Sequence, residues 1–161
     1  MKTLLTAAAA MLALSAPVFA DSHSAAGDAE AGEKVMKKCK ACHMVSSEDE
    51  VFLKGGKTGP NLYGVVGRVA GSVEDFKYGP SLKEAGEKGL VWDTANLAEY
   101  VADPKGFLAD YLDDGAAKSK MTFKLRKGGE DVAAYLASVS PAAEADAESD
   151  MDADGEETKS E

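Results

Sequence analysis

Cys39 and Cys42 are the only cysteines in the chain, and they sit in the run Cys39-Lys40-Ala41-Cys42-His43. Three chemistries use two thiols at this spacing. A disulfide is the plain one in an oxidising compartment. A thioredoxin-like redox pair has the same two-residue gap. The third is covalent haem attachment: two thiols on one helical turn can add to the two vinyl groups along one haem edge. The following His43 then projects its imidazole toward the iron from the same side. His43 shifts the balance to haem attachment. A redox pair should follow a strand in a βαβ unit, whereas this motif follows Asp28 to Lys38, strong helix formers with Asp28 as an N-cap candidate.

An iron held by one histidine has a sixth position to fill or leave open. A methionine thioether there raises the reduction potential and suits electron transfer; an open position invites ligand binding or catalysis. The other histidine, His23, lies at the ragged start of the mature chain and reads as solvated. Among six methionines, Met1 and Met11 belong to an N-terminal signal, Met151 to a polar tail, and Met36 and Met44 flank the motif too closely to reach the opposite haem face. Met121 remains, in Lys118-Ser119-Lys120-Met121-Thr122-Phe123. Elimination makes it the candidate sixth ligand; a flexible core filler is the alternative.

The elements that must position these groups read as helices. Residues 28–41 are expected to form the first, ending in the motif. Asp93 should cap a second, with Leu97, Tyr100 and Val101 on one face and Asp103-Pro104 at its end. Glu130 to Ser138 should form the last, with Val132, Tyr135, Leu136 and Val139 at helical spacing. Ser81 to Lys88 adds a short helix before Gly89. The fold class is all-α, with loops long for so small a domain. A haem would supply the missing core, so the apo chain should be poorly folded.

The ends differ from this body. Lys2, the apolar run Leu4 to Leu14 and the small residues of Val18-Phe19-Ala20 read as a secretory signal over 1–20, cleaved rather than kept as an anchor. This predicts a periplasmic location. Of the net charge of −10, residues 31–140 contribute nothing, with 16 basic and 16 acidic side chains, whereas 142–161 hold nine acids against Lys159. The low isoelectric point therefore says nothing about the surface that meets partners. Residues 21–27 read as a flexible start, 28–140 as one domain and 141–161 as a disordered acidic tail. The tail is read as solubilising, with transient docking on the lysines below as the alternative.

The segments Lys38 to His43, then Thr58-Gly59-Pro60-Asn61-Leu62-Tyr63-Gly64-Val65-Val66-Gly67-Arg68, then Phe76-Lys77-Tyr78, Trp92 and Lys120 to Phe123 follow one another in the order of a known family. The chain resembles the class I cytochromes c, above all the cytochrome c2 and c550 type of alphaproteobacteria, over residues 28 to 139. The resemblance implies a small class I cytochrome c fold around one covalent haem c, its iron ligated by His43 and Met121. It implies that the Pro60 carbonyl meets the outer nitrogen of His43. Arg68, Tyr78 and Trp92 would surround the haem propionates, and Tyr100 would pack near the methionine sulfur; plain core packing is the alternative for Trp92. Glycines 59, 64 and 67 would let a loop run against the haem face. Met44 to Lys57 and Ala109 to Lys118 are longer than in mitochondrial relatives and resemble surface insertions, and Ser119 stands where many relatives carry threonine.

The function implied is single-electron carriage through Fe(II)/Fe(III) cycling, not enzymatic catalysis. Lys37, Lys38, Lys40, Lys54, Lys57, Lys105, Lys118, Lys120 and Lys124 flank the segments expected at the haem edge. Such a face would steer encounter with acidic membrane redox complexes. By resemblance a cytochrome bc complex is the donor. A terminal oxidase, a photosynthetic reaction centre or a periplasmic reductase is the acceptor. A monomer is expected, with no nucleic-acid partner. The rival is an enzyme or sensor whose Met121 detaches. A di-haem peroxidase would need a second Cys-X-X-Cys-His, which the sequence lacks, and a c′-type protein carries its motif near the C-terminus.

Overall fold

Asp28 starts helix α1 (Ala29–Met36): its backbone is extended, and its carboxylate accepts from the N–H groups of Glu30 and Ala31. Its own N–H donates to Asp131 at 2.9 Å, tying the first helix to the first turn of the last. This computed structural model describes residues 27–141. The signal expected over 1–20 lies outside the described residues. So do the leading stretch and the acidic tail, apart from Gly27 and Pro141.

The expectation of a first helix running to residue 41 is corrected. After Met36 the chain winds more tightly, with Lys38 and Cys39 donating to carbonyls only three residues back, at 2.9 Å each. A separate turn then closes from His43 N–H to Cys39 carbonyl, 2.9 Å. The motif thus occupies turns of its own beyond the helix. Within the stretch 44–57, read as an insertion, strands β1 (Val45–Ser46) and β2 (Val51–Leu53) pair antiparallel in a short hairpin.

Helix α2 (Pro80–Glu87) and helix α3 (Thr94–Ala102) fall where expected, α3 opened by a reciprocal capping box between Asp93 and Asn96. The next helix was not expected. Asp103-Pro104 ends α3, but it also begins α4 (Pro104–Leu112): the Asp103 carboxylate accepts from Gly106 N–H and Pro104 takes the first helical position. Asp113, with φ of 51°, terminates it in a left-handed turn. So the stretch 109–118 is half helix and half loop. Helix α5 (Gly129–Val139) closes the fold and buries Val132, Ala133, Tyr135 and Leu136. Among the described residues the elements are five helices and one minute hairpin, so the all-α reading stands.

Helices α1 and α5 meet at Gly32. A Cβ there would lie 2.6 Å from the Asp131 carbonyl carbon and 2.8 Å from the Tyr135 Cβ, both on α5. Backbone cannot rotate out of the way. Gly32→Ala is expected to destabilise the haem-loaded protein by about 1–3 kcal/mol from overpacking, although alanine is the better helix former by roughly 0.5–1 kcal/mol. A thermal melt that leaves the midpoint unchanged would show that the two helices do not need this close approach.

Candidate haem site

The turn that follows α1 carries both thiols. Cys39 is half-buried and Cys42 exposed, and the two are not bonded to each other. Burial pushes the Cys39 thiol above its ordinary pKa, helped by Cys42 and opposed by Lys38. Exchange-active cysteines are tuned the other way, toward the thiolate. Together with the helix that precedes the motif, this counts against thiol–disulfide exchange.

His43 is fixed by its outer nitrogen. Nδ1 donates to the Pro60 carbonyl at 2.8 Å, the contact that the resemblance implies. Burial holds its pKa below the usual value, against the opposing pull of that hydrogen bond, so the ring is neutral at neutral pH. With Nδ1 carrying the proton, the Nε2 lone pair is left available, the form in which imidazole binds a metal. The loop that carries Pro60 is stitched to the motif: Gly56 N–H donates to Lys40 carbonyl, Gly59 N–H to Cys42 carbonyl, and Leu62 N–H to Met44 carbonyl, at 2.8–3.0 Å.

Glycine is needed in that loop, for more than one reason. A Cβ at Gly59 would stand 2.6 Å from Nδ1 and 2.7 Å from Nε2 of His43. Gly64 and Gly67 add a second reason: their φ values are 65° and 84°, left-handed backbone that other residues resist. Gly55 and Gly56, which sequence reasoning passed over, are the crowded pair, a Cβ at either running into a carbonyl oxygen of the motif. Asn61 was also overlooked. Its side chain accepts from Ser46 N–H at 3.1 Å and donates to Ser46 carbonyl at 2.6 Å, clasping the hairpin to the loop.

Arg68 and Trp92 are brought side by side by backbone pairing, Trp92 N–H to Arg68 carbonyl at 2.9 Å and Gly67 N–H to Trp92 carbonyl at 2.7 Å. The half-buried Arg68 guanidinium donates to the carbonyls of Tyr63 and Asn61, at 3.0 and 3.1 Å. Among the described residues its charge is thus met by dipoles, which leaves it suited to an anion. Burial lowers its pKa while Tyr78 opposes the shift, and the Tyr78 phenol is pushed up by burial and held back by Arg68. The two side chains share one environment.

Tyr100 and Met121 meet through Ser119. The Tyr100 hydroxyl lies 3.3 Å from Ser119 Oγ, which accepts from Met121 N–H at 3.1 Å. The Trp92 ring packs on Tyr100 at 4.9 Å, and both are buried. Trp92 is therefore a core residue as well as a site candidate. The half-buried Met121 belongs to a strap tied down on both sides: Lys118 N–H donates to Ser81 Oγ at 3.0 Å, and Leu125 N–H to Val101 carbonyl at 2.7 Å. Lys124 adds an ion pair to Asp103, 2.6 Å.

This donor set fits haem c: two thiols one turn apart, a neutral imidazole with one nitrogen committed, a tethered thioether, and an arginine awaiting an anion. Relatives point the same way. No family model matches the chain. Cytochrome c-551 of Roseobacter denitrificans is 62% identical over 132 residues, covering 81% of this chain and 91% of that protein. Cytochrome c2 of Rhodobacter capsulatus is 55% identical, over 86% of this chain and 98% of its own length. The crystal structure of ferric cytochrome c-550 from Paracoccus versutus superposes with a TM-score of 0.69 at 58% identity, covering 71% of this chain and 99% of that one. The chain belongs to the class I cytochromes c, of the cytochrome c2 and c-550 type, mono-haem electron carriers rather than enzymes that hold one covalent haem c with its iron.

Proposed function

We propose that this protein works in the periplasm, taking single electrons from one membrane respiratory or photosynthetic complex and delivering them to another. In this reading Cys39 and Cys42 hold the haem, and His43 and Met121 are its axial ligands. Pro60, Arg68, Tyr78, Trp92 and Tyr100 support it. The observation that carries the proposal is the 2.8 Å bond from His43 Nδ1 to the Pro60 carbonyl. It fixes the tautomer and leaves the Nε2 lone pair for a metal, as a permanent ligand requires.

The bound haem supplies a reversible one-electron couple. The chain's own residues keep that couple simple. The Pro60 carbonyl holds His43 in one orientation, and Ser119 and the strap ties hold Met121 without help from its sulfur. Ligands positioned in advance need not move when charge changes, so little reorganisation opposes transfer. Arg68, with Tyr78 beside it, would receive the propionate charge.

Docking is assigned to the exposed lysines. All nine named from the sequence are exposed, though not all are free. Lys124 pairs with Asp103, and Lys120 Nζ donates to the Lys77 carbonyl at 2.6 Å, so these two also brace the protein's own loops. The others remain to meet an acidic partner, a cytochrome bc complex as donor and an oxidase, reaction centre or periplasmic reductase as acceptor. The test is the second-order rate of reduction by a purified bc complex as salt is raised from low to physiological strength. A steep fall is expected, since screening shortens the reach of charge to about 8–10 Å. A salt-independent rate would remove the lysine face from the proposal. A cell fractionation that leaves the mature protein in the cytoplasm would remove the periplasmic assignment.

A further inference from the structure

Every second residue from Glu144 to Asp154 is acidic, with only alanine, serine or methionine between. A helix would scatter such a set around its axis, since 3.6 residues make a turn. Extended backbone turns all of them to one side, neighbours about 6.6–6.8 Å apart. A tail that only confers solubility needs acids but no such spacing. Residues 142–161 lie outside the described residues.

The chain leaves the described body at a pinned point. Ser140 Oγ donates to the Leu136 carbonyl at 2.6 Å and accepts from Gly64 N–H at 3.1 Å, which fastens the end of α5 to the loop that carries Pro60 and Arg68. Lys57 lies seven residues back along that loop, so at most about 23–25 Å from Gly64. Lys54 and Lys40 are gathered beside it. Gly55 and Gly56, between Lys54 and Lys57, press onto the carbonyls of Lys40, Ala41 and His43, and Gly56 N–H donates to the Lys40 carbonyl at 2.9 Å. All three lysines are exposed, and among the described residues none of them is in an ion pair. Fully extended, residues 142–161 span about 66–72 Å, ample to cross this cluster.

We propose that residues 142–161 lie in extended form across Lys40, Lys54 and Lys57, a competitor carried on the chain itself that an acidic partner must displace. It rests on the reading that assigns docking to these lysines. One exposed carboxylate–ammonium pair contributes little. A tethered row contributes more, because a linker that spans its site holds the acids at an effective concentration in the millimolar range. The contact weakens as salt shortens the reach of charge, from about 30 Å at 0.01 M to about 8 Å at 0.15 M. Salt therefore screens the partner and frees the face together, so the fall of docking rate with salt is shallower than it would be with a neutral tail.

The test compares the haem-loaded full chain with a full-length variant carrying Glu144→Gln, Asp146→Asn, Glu148→Gln, Asp150→Asn, Asp152→Asn and Asp154→Asn together. Amide resonances of the reduced proteins are recorded at about 0.01 M and 1 M salt, where the Debye length is about 30 and 3 Å. Those of Lys40, Lys54 and Lys57 are expected to differ between the two proteins at low salt and to coincide at high salt. Oxidation by ferricyanide, a small anion, is expected to be about tenfold faster in the variant at low salt, the low end of electrostatic steering. Reduction by a purified bc complex should be faster as well. Lysine resonances that do not differ would overturn the proposal even if ferricyanide reacts faster, because a tail acting by net charge alone speeds an anion without touching the face. Differences that grow with protein concentration would also overturn it, by placing the tail on a second copy. Differing resonances and a faster ferricyanide reaction with an unchanged rate from the bc complex would uphold the contact and overturn instead the assignment of docking to these lysines.

Discussion

Met121→Ala in the haem-loaded protein is expected to abolish the weak sulfur-to-iron charge-transfer band in the far red. It should also lower the reduction potential by on the order of 100–200 mV, part of the roughly 0.8 V range that axial ligation spans. The sign follows from the donor. A thioether is soft and uncharged and favours Fe(II); water or an empty position favours it less. The strap itself should survive. It is held by backbone and by neighbours of Met121: Ser119 Oγ under the Met121 N–H, Ser81 Oγ under the Lys118 N–H, and the Lys124–Asp103 pair. The variant should therefore fold with haem attached and bind carbon monoxide readily, which the parent should resist. Persistence of the band would hand the ligand role to another sulfur. Met36 is fully buried beneath the motif and Met44 half-buried beside it, so the alternatives are few.

The site was more legible in the sequence than the architecture around it. Cys39, Cys42 and His43 stand out as candidates because the proposed covalent attachment needs fixed residue types at fixed spacing. Pro60 and Arg68 were legible through family resemblance, and the structure brings Pro60 to His43 and Arg68 beside Trp92. Helix α5 was found within a residue at each end because its apolar face repeats cleanly. Helix α4 was missed for a definite reason. Asp-Pro is a stop for the helix before it and a start for the helix after it, and only the stop was considered. The overlong first helix is the opposite error. Its residues favour helix throughout, and nothing local records that the motif must wind into turns of its own. Gly55 and Gly56 could have been suspected, since two adjacent glycines beside a functional motif often mark backbone approaching backbone. Ser119 was noticed as a substitution, but its bridge from the Tyr100 hydroxyl to the Met121 N–H needed the fold to be seen.

Gly59→Ala probes the opposite side of the iron and should move the potential in the opposite direction. The added Cβ would stand 2.6 Å from His43 Nδ1, inside any tolerable contact. A free imidazole could swing aside. Here one nitrogen is held by Pro60 at 2.8 Å, and under the proposed ligation the other is held by the metal. The loop must yield instead. Its retreat would stretch the Pro60 contact and the Gly59 N–H bond to the Cys42 carbonyl, 2.8 Å in the native protein. An imidazole that loses its Nδ1 acceptor donates less charge to iron, which favours Fe(II), so the potential should rise where Met121→Ala lowers it. Loss of such an outer partner typically weakens metal binding roughly 10–100-fold. Because thioethers would still retain the haem, the weakening should appear as release of His43 to a proton at higher pH than in the parent. Gly59→Ser should behave alike, since the obstacle is the Cβ and not the polarity. A potential that falls in Gly59→Ala, or an unchanged acid titration of His43, would mean that the Pro60 carbonyl does not set the donor strength of His43.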